Sequence, residues 1–194
     1  MTINLRGKLM NLSVPKIMGI LNITPDSFYD GGRYNSKDKI KIQIEKMIIS
    51  GADIIDIGGY SSRPGAKDIS IEDELNRVIP AIEILKQKFP ETIVSIDTFR
   101  SRVAREAIIS GADIVNDISG GNLDRDMFET VSNHKVPYIL MHMRGSPKNM
   151  MSKTDYENVT KDVCKYFSER IDKAKSFGIN DIIIDPGFGF SKTT

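Results

Sequence analysis

Several residue types that common functions depend on are scarce in this chain. A single cysteine, Cys164, occurs in 194 residues, so no internal disulfide can form and a reducing compartment fits. It lies beside Val163 in a helical pattern with no histidine near it in sequence, which points to packing or a surface position rather than a nucleophile. Only two histidines are present, His134 and His142, and their spacing matches no zinc site. His134 reads as a helix-end residue, whereas His142 either lines a pocket or stays neutral and hydrogen-bonded to backbone. No apolar run approaches the ~20 residues that span a bilayer, and the opening MTINLRGKLMNLS has no signal-peptide core. A cytoplasmic protein with no membrane partner is expected. The formal net charge of +1 argues against a nucleic-acid partner while allowing a local site for a small anion. No low-complexity tract or Gly/Ser-rich linker divides the sequence, so one domain over 1–194 is expected.

What is present is a repeated pattern. ISGADIIDIGG at 49–59 recurs as ISGADIVNDISGG at 109–121 and more loosely as FGINDIIIDPG at 177–187. A helix that stops at a glycine and passes directly into a buried strand gives such a pattern. Six short runs rich in Ile and Val, at 16–23, 53–58, 92–97, 112–118, 136–142 and 181–185, read as strands covered on both faces. Helical spacing lies between them: Ile40, Ile44, Met47 and Ile48 in 37–50, and Leu75, Val78, Ile79, Ile82 and Leu85 in 71–89. Pro80 is expected to bend or restart the second of these. A short helix is predicted over 101–110, and a longer one over 155–177 with Thr154 and Glu157 as a capping-box pair.

Alternating strands and helices make a parallel α/β sheet, either open and doubly wound or closed as a (β/α)₈ TIM barrel. Asn22, Asp56, Asp97, Asn116, His142 and Asp185 each fall at the C-terminal end of a different strand. In a barrel these ends converge on the face where active sites are built, whereas an open sheet brings only the strands at its switch point together. The barrel is therefore expected. Two polar loops would lie on that face. TPDS, at 24–27, is an ordinary turn or one wall of a site, with Gly31 and Gly32 closing it. GGYSSRPGA, at 58–66, is a surface turn or an anion cradle in which Arg63 supplies planar donors. Asp97, Asn116 and Asp185 sit among apolar residues, and a buried carboxylate or amide is costly without partners. Either they pair with structural cations, or together they suit a flat heterocycle with ring N–H and amino donors, such as a pterin. GFGFSKT, at 187–193, looks like a phosphate-binding P-loop but has Ser191 where that motif needs glycine.

GILNITPDSFYDGG and IDIGGYSSRPGA together resemble the dihydropteroate synthase family. The resemblance continues through SIDT, VNDISGG, ILMHMRGSP and DPGFGFSKT, in order and over essentially the whole chain. It implies a (β/α)₈ barrel and a transferase of folate synthesis, which joins p-aminobenzoate to 6-hydroxymethyl-7,8-dihydropterin diphosphate and releases pyrophosphate. By the same resemblance Asn22 would contact Mg²⁺ and the diphosphate, and Asp97, Asn116 and Asp185 would bind pterin above Met141. Phe28 and Asp30 match the first mobile loop, Ser62, Arg63 and Pro64 the second, and Phe190 a residue beside the aminobenzoate ring. Asp97, Asp185 and Arg63 would serve catalysis. Loss of pyrophosphate would leave a cationic pterin methylene that the buried carboxylates stabilise while the loops exclude water.

Two departures from the family stand out. Tyr60 and Ser62 give YSSRP where many relatives have ESTRP. Relatives also continue through two more βα units, which carry a pterin-binding lysine and an Arg-x-His pair, and through late helices used for homodimerisation. Six units cannot close an eight-stranded barrel, so residues 1–194 alone are expected to be unstable or very weakly active. A truncated, non-catalytic pterin-binding paralogue and a methyltetrahydrofolate-dependent methyltransferase domain are the alternatives, the second having no use for diphosphate loops.

Overall fold

A computed structural model describes residues 1–24, 36–61 and 67–193. The six Ile/Val runs form one parallel sheet, preceded by a small antiparallel hairpin of β1 (Thr2–Leu5) and β2 (Lys8–Asn11). The sheet comprises β3 (Met18–Asn22), β4 (Ile54–Gly58), β5 (Ile93–Asp97), β6 (Ile114–Asp117), β7 (Tyr138–Met141) and β8 (Ile182–Asp185). Its strands neighbour one another in chain order, β3-β4-β5-β6-β7-β8. Five helices make the crossovers: α1 (Ser36–Ile49), α2 (Ile71–Lys88), α3 (Ser101–Ser110), α4 (Met127–His134) and α5 (Val159–Ser176). A doubly wound sheet reverses its strand order at a switch point, and this one never does. The architecture is that of the first six strands of a (β/α)₈ barrel. Among the described residues, β3 and β8 are each paired on one side only. No helix among them is long and apolar enough to cross a membrane.

The repeated glycine has one structural cause at all three sites. Gly51, Gly111 and Gly178 have φ of 97°, 126° and 91°, which carries the chain out of each helix in a left-handed turn. The amides of Ala52, Ala112 and Ile179 then bond the carbonyls of Met47, Ala107 and Ala174, closing the same Schellman-type cap three times. The aspartates after two of these glycines are structural. Asp53 accepts the amide of Ile17, and Asp113 accepts that of Val94 while pairing with Lys86 and Arg6.

Period-two alternation divides the strand residues between two cores. Ile55, Ile57, Val94, Ile96, Val115, Tyr138 and Leu140 face the helices and pack with Ile44, Val78, Ile82, Leu85 and Phe128. Ile54, Ile114 and Ile139 face inward, where Ile3, Leu5 and Met10 of the hairpin close the bottom of the sheet. Arg6 and Gly7, at φ of 51° and 88°, turn that hairpin, and Arg6 donates to the carbonyls of Ile108 and Ala112 at 2.7 Å each.

One expectation about helices is narrowed and another needs correction. Of the two outcomes expected at Pro80 a restart does not occur, for α2 runs through it with Val78, Ala81, Ile82 and Leu85 fully buried on both sides. α5 begins at Val159, not near 155, and its cap is Asn158, whose side chain accepts the amide of Lys161. Thr154 and Glu157 lie in the preceding loop, where Arg144 donates to the carbonyl of Asp155 and stacks on Tyr156 at 3.6 Å. His134 does end a helix, α4, and its ring contacts the carbonyl of Thr130.

Candidate active site at the open mouth of the sheet

The inward alternation that places Ile54, Ile93, Ile114 and Ile183 at the bottom places Asp56 and Gly58, Ser95 and Asp97, Asn116, and Asp185 above them. Register aligns Asn22, Gly58, Asp97 and Asn116 in one layer, whereas Met141 and Asp185 stand two residues above Ile139 and Ile183, which are level with Asn116. Asn22 lies opposite Gly58, Gly58 opposite Asp97, Asp97 opposite Asn116, and Met141 opposite Asp185. A Cβ on Gly58 would come within 3.1 Å of Asn22 Oδ1 and 3.3 Å of Asp97 Oδ2. That glycine is therefore where the two side chains close over the strand.

Charge in this layer is concentrated. Burial pushes the Asp97 carboxyl well above the usual carboxylate range, and the nearby Asp56, Glu74 and Asp117 push it further. Burial also raises Asp56, but the side chains of Ser95 and Asn116 hold it back. Asn116 Nδ2 donates to Asp56 Oδ2 at 3.0 Å. Asp185 Oδ1 accepts the amide of Gly187 at 2.8 Å, which anchors the loop that follows β8. An apolar patch joins this layer, for Met141 packs with Ile118, Met143 and Met150, and Phe99 and Phe190 lie against them. The mouth thus offers carboxylates and an amide beside an apolar floor. Such a surface suits a flat ring with a polar N–H edge.

Residues 18–194 match the family described as pterin binding enzyme. The chain belongs to that family. It is 48% identical over 179 residues to the dihydropteroate synthase of Synechocystis, covering 91% of this chain and 62% of that protein. Against the Haemophilus influenzae dihydropteroate synthase the identity is 43% over 189 residues, covering 96% of this chain and 68% of that protein. The solved structure of Xanthomonas albilineans dihydropteroate synthase with 4-aminobenzoic acid superposes with a TM-score of 0.90 at 38% identity, covering 99% of this chain and 68% of that one. The chain thus spans about two thirds of the length of these relatives.

Within this member of the family, the expected residues divide clearly. Asp97, Asn116, Met141, Asp185 and Phe190 share the mouth, and Asn22 ends β3 at its exposed rim. Phe28, Asp30, Ser62, Arg63 and Pro64 lie outside the described residues. Among the described residues no group of three or more His, Cys, Asp or Glu side chains could hold a metal ion. Asn22 offers one exposed amide oxygen, the hard kind of ligand that Mg²⁺ takes together with water and phosphate oxygens.

Three features go beyond what the sequence pattern indicates. Lys192, in the stretch that only superficially matches a P-loop, donates to the carbonyls of His142, Gly187 and Phe190 at 3.0–3.2 Å and so ties the loop after β8 to β7. Burial lowers its pKa, while Asp185 nearby raises it. His142 faces α5, not the mouth: its ring meets that of Tyr166 edge-on at 4.8 Å, and Nδ1 has no hydrogen-bond partner among the described residues. Burial first, then Lys192 and Arg144, hold its pKa down to about 4, so it is neutral. Tyr60 packs edge-on against Phe99 at 5.0 Å, with the Arg100 guanidinium over its ring. It takes part in an aromatic and cationic cluster with Phe99 and Arg100. Arg100 pairs with the fully buried Glu74 at 2.8 Å and with Asp68 at 3.3 Å.

Proposed function

We propose that this chain forms the pterin-binding part of a dihydropteroate synthase, which condenses 6-hydroxymethyl-7,8-dihydropterin diphosphate with p-aminobenzoate and releases pyrophosphate. The observation that carries the reading is the convergence of Asp97, Asn116 and Asp185, three acceptor-bearing side chains on the inward face at the C-terminal ends of β5, β6 and β8. Pterin presents a row of N–H donors on a flat ring, and such a row satisfies half-buried acceptors that otherwise cost free energy. Asp97, raised by burial and neighbouring carboxylates, would ionise fully when those donors arrive. With Asp185 it would then stabilise the positive charge that spreads over the pterin as the diphosphate leaves.

Met141 would floor the pterin pocket and Phe190, packed against the same apolar patch, would lie beside the aminobenzoate ring, in keeping with the 4-aminobenzoic acid bound by the Xanthomonas relative. Asn22 would hold Mg²⁺ at the rim, and the ion when bound supplies charge neutralisation to the departing diphosphate. Phe28, Asp30, Ser62, Arg63 and Pro64 would belong to the loops that cover the site. A cytoplasmic location, and dimerisation through segments beyond this chain, belong to the same proposal.

The decisive experiment mixes the intact protein with the pterin diphosphate and p-aminobenzoate and measures pyrophosphate. Release that depends on both substrates supports the reading. Absence of both release and pterin binding overturns it, and pterin binding without release withdraws the chemistry while leaving the pocket.

A further inference from the structure

The mouth contains one carboxylate that the proposed chemistry does not use. Asp56 lies in the middle of β4, one layer below Gly58, and is 3% exposed. Among the described residues it has no cationic partner in an ion pair. Its Oδ2 accepts from Asn116 Nδ2 at 3.0 Å, while Oδ1 and the Ser95 hydroxyl opposite it make no well-formed hydrogen bond. A carboxylate kept dry on so few partners is costly.

What it governs is the direction of an amide. The nitrogen of the Asn116 amide is the end that faces Asp56, and a carboxylate oxygen without a proton admits only that orientation because it can only accept. The carbonyl oxygen is then turned away from Asp56, leaving an acceptor for the mouth. With a partner able to donate, the amide could turn over and present its N–H₂ instead. The mouth would then mix donors with acceptors and lose its match to a donor edge.

Resting on the pterin reading above, we propose that Asp56 is a positioning residue that fixes the Asn116 amide with its oxygen toward the mouth and so selects ligands carrying a donor edge. Asp56 touches no ligand itself in this account and acts entirely through Asn116.

The test is a double-mutant cycle with 6-hydroxymethylpterin as the probe, measured by calorimetry on the intact protein. Asp56→Asn keeps the shape of the side chain but can donate as well as accept, and is expected to weaken binding about tenfold. In an Asn116→Ala background the same change should have no further effect, because its whole action passes through the missing amide. Full loss in both backgrounds, or wild-type affinity in Asp56→Asn, overturns the proposal. Should Asp56→Asn fail to fold, Asp56→Ser is used instead: its hydroxyl can also donate toward Asn116 and is expected to give the same pattern. A second readout needs no ligand. The side-chain N–H₂ resonance of Asn116 should move in Asp56→Asn, and an unmoved resonance overturns the proposal. If the wild-type protein binds no pterin yet that resonance moves, the functional reading falls and the positioning role stands.

Discussion

Asp97 illustrates how one side chain can oppose folding and serve binding. Its carboxyl is raised far above the ordinary value near 3.8, first by burial and then by Asp56, Glu74 and Asp117. The folded chain therefore holds this proton more tightly than the unfolded chain does. The resulting stability is complete below the ordinary value and is lost as pH rises through the raised one. Asp97→Asn removes that loss. The variant is expected to melt higher than the wild type at neutral pH, by about 2–4 °C per kcal/mol recovered in a chain of this size, with the difference shrinking toward acid pH. Pterin affinity should fall at the same time, by at least about tenfold for a lost charged hydrogen bond. Melting curves across pH and calorimetry check the two halves, and a variant both less stable and equally avid would contradict the assignment. Asp97, Asn116 and Asp185 are legible in the sequence because each ends an apolar run. The same signal does not separate them from Asp53, Asp113 and Asp117, which end or flank equally apolar runs but are satisfied by backbone amides, Lys86 or the Tyr138 hydroxyl. The difference lies in long-range partners, which spacing does not encode.

Helices and strands are legible wherever a local signal causes them. The three glycines after α1, α3 and α5 stop helices by backbone conformation, and their recurrence can be read directly. A Cβ added at Gly51 would meet nothing within 4 Å, so Gly51→Ala would suffer backbone strain alone, about 1–2 kcal/mol in a denaturant titration. The start of α5 departs from its expected place because a capping-box spacing at Thr154 and Glu157 is only one of two local solutions. Arg144 decides between them by binding the Asp155 carbonyl and Asp162, contacts set by β7 and invisible to a local motif. α2 carries the most consequential contact between elements. Its Glu74 is fully buried, accepts from Thr98 at 2.7 Å, and pairs with Arg100 at the start of α3. Glu74→Ala removes the buried carboxylate from a largely buried guanidinium, leaving Arg100 only the exposed Asp68 at 3.3 Å, and should cost about 3 kcal/mol. It should also loosen Tyr60, which lies beneath Arg100. Equilibrium unfolding checks the first effect and tyrosine fluorescence the second; a loss under about 1 kcal/mol would mean the pair behaves like an exposed one.

At the scale of the whole molecule, the governing fact is that six strands curve without meeting. β3 and β8 each present an unpaired edge among the described residues, and Ile20 and Ile184 on those strands are 63% and 52% exposed. In a closed (β/α)₈ barrel two further strands stand between such edges, as the greater length of the Xanthomonas relative allows. Free edges with apolar side chains pair with other chains. A protein made of residues 1–194 alone should therefore self-associate, with a sedimentation coefficient that rises with concentration. Ile184→Lys or Ile20→Lys should reduce that association, because a charged side chain blocks edge pairing. Where other segments complete the barrel, the same lysines would be forced against packed neighbours and should destabilise the fold by about 2 kcal/mol or more. The substitution thus changes sign with the state of the edge: it solubilises an open sheet and damages a closed one. If Ile184→Lys and Ile20→Lys leave both association and stability untouched, these strands are not the edges at which the barrel closes.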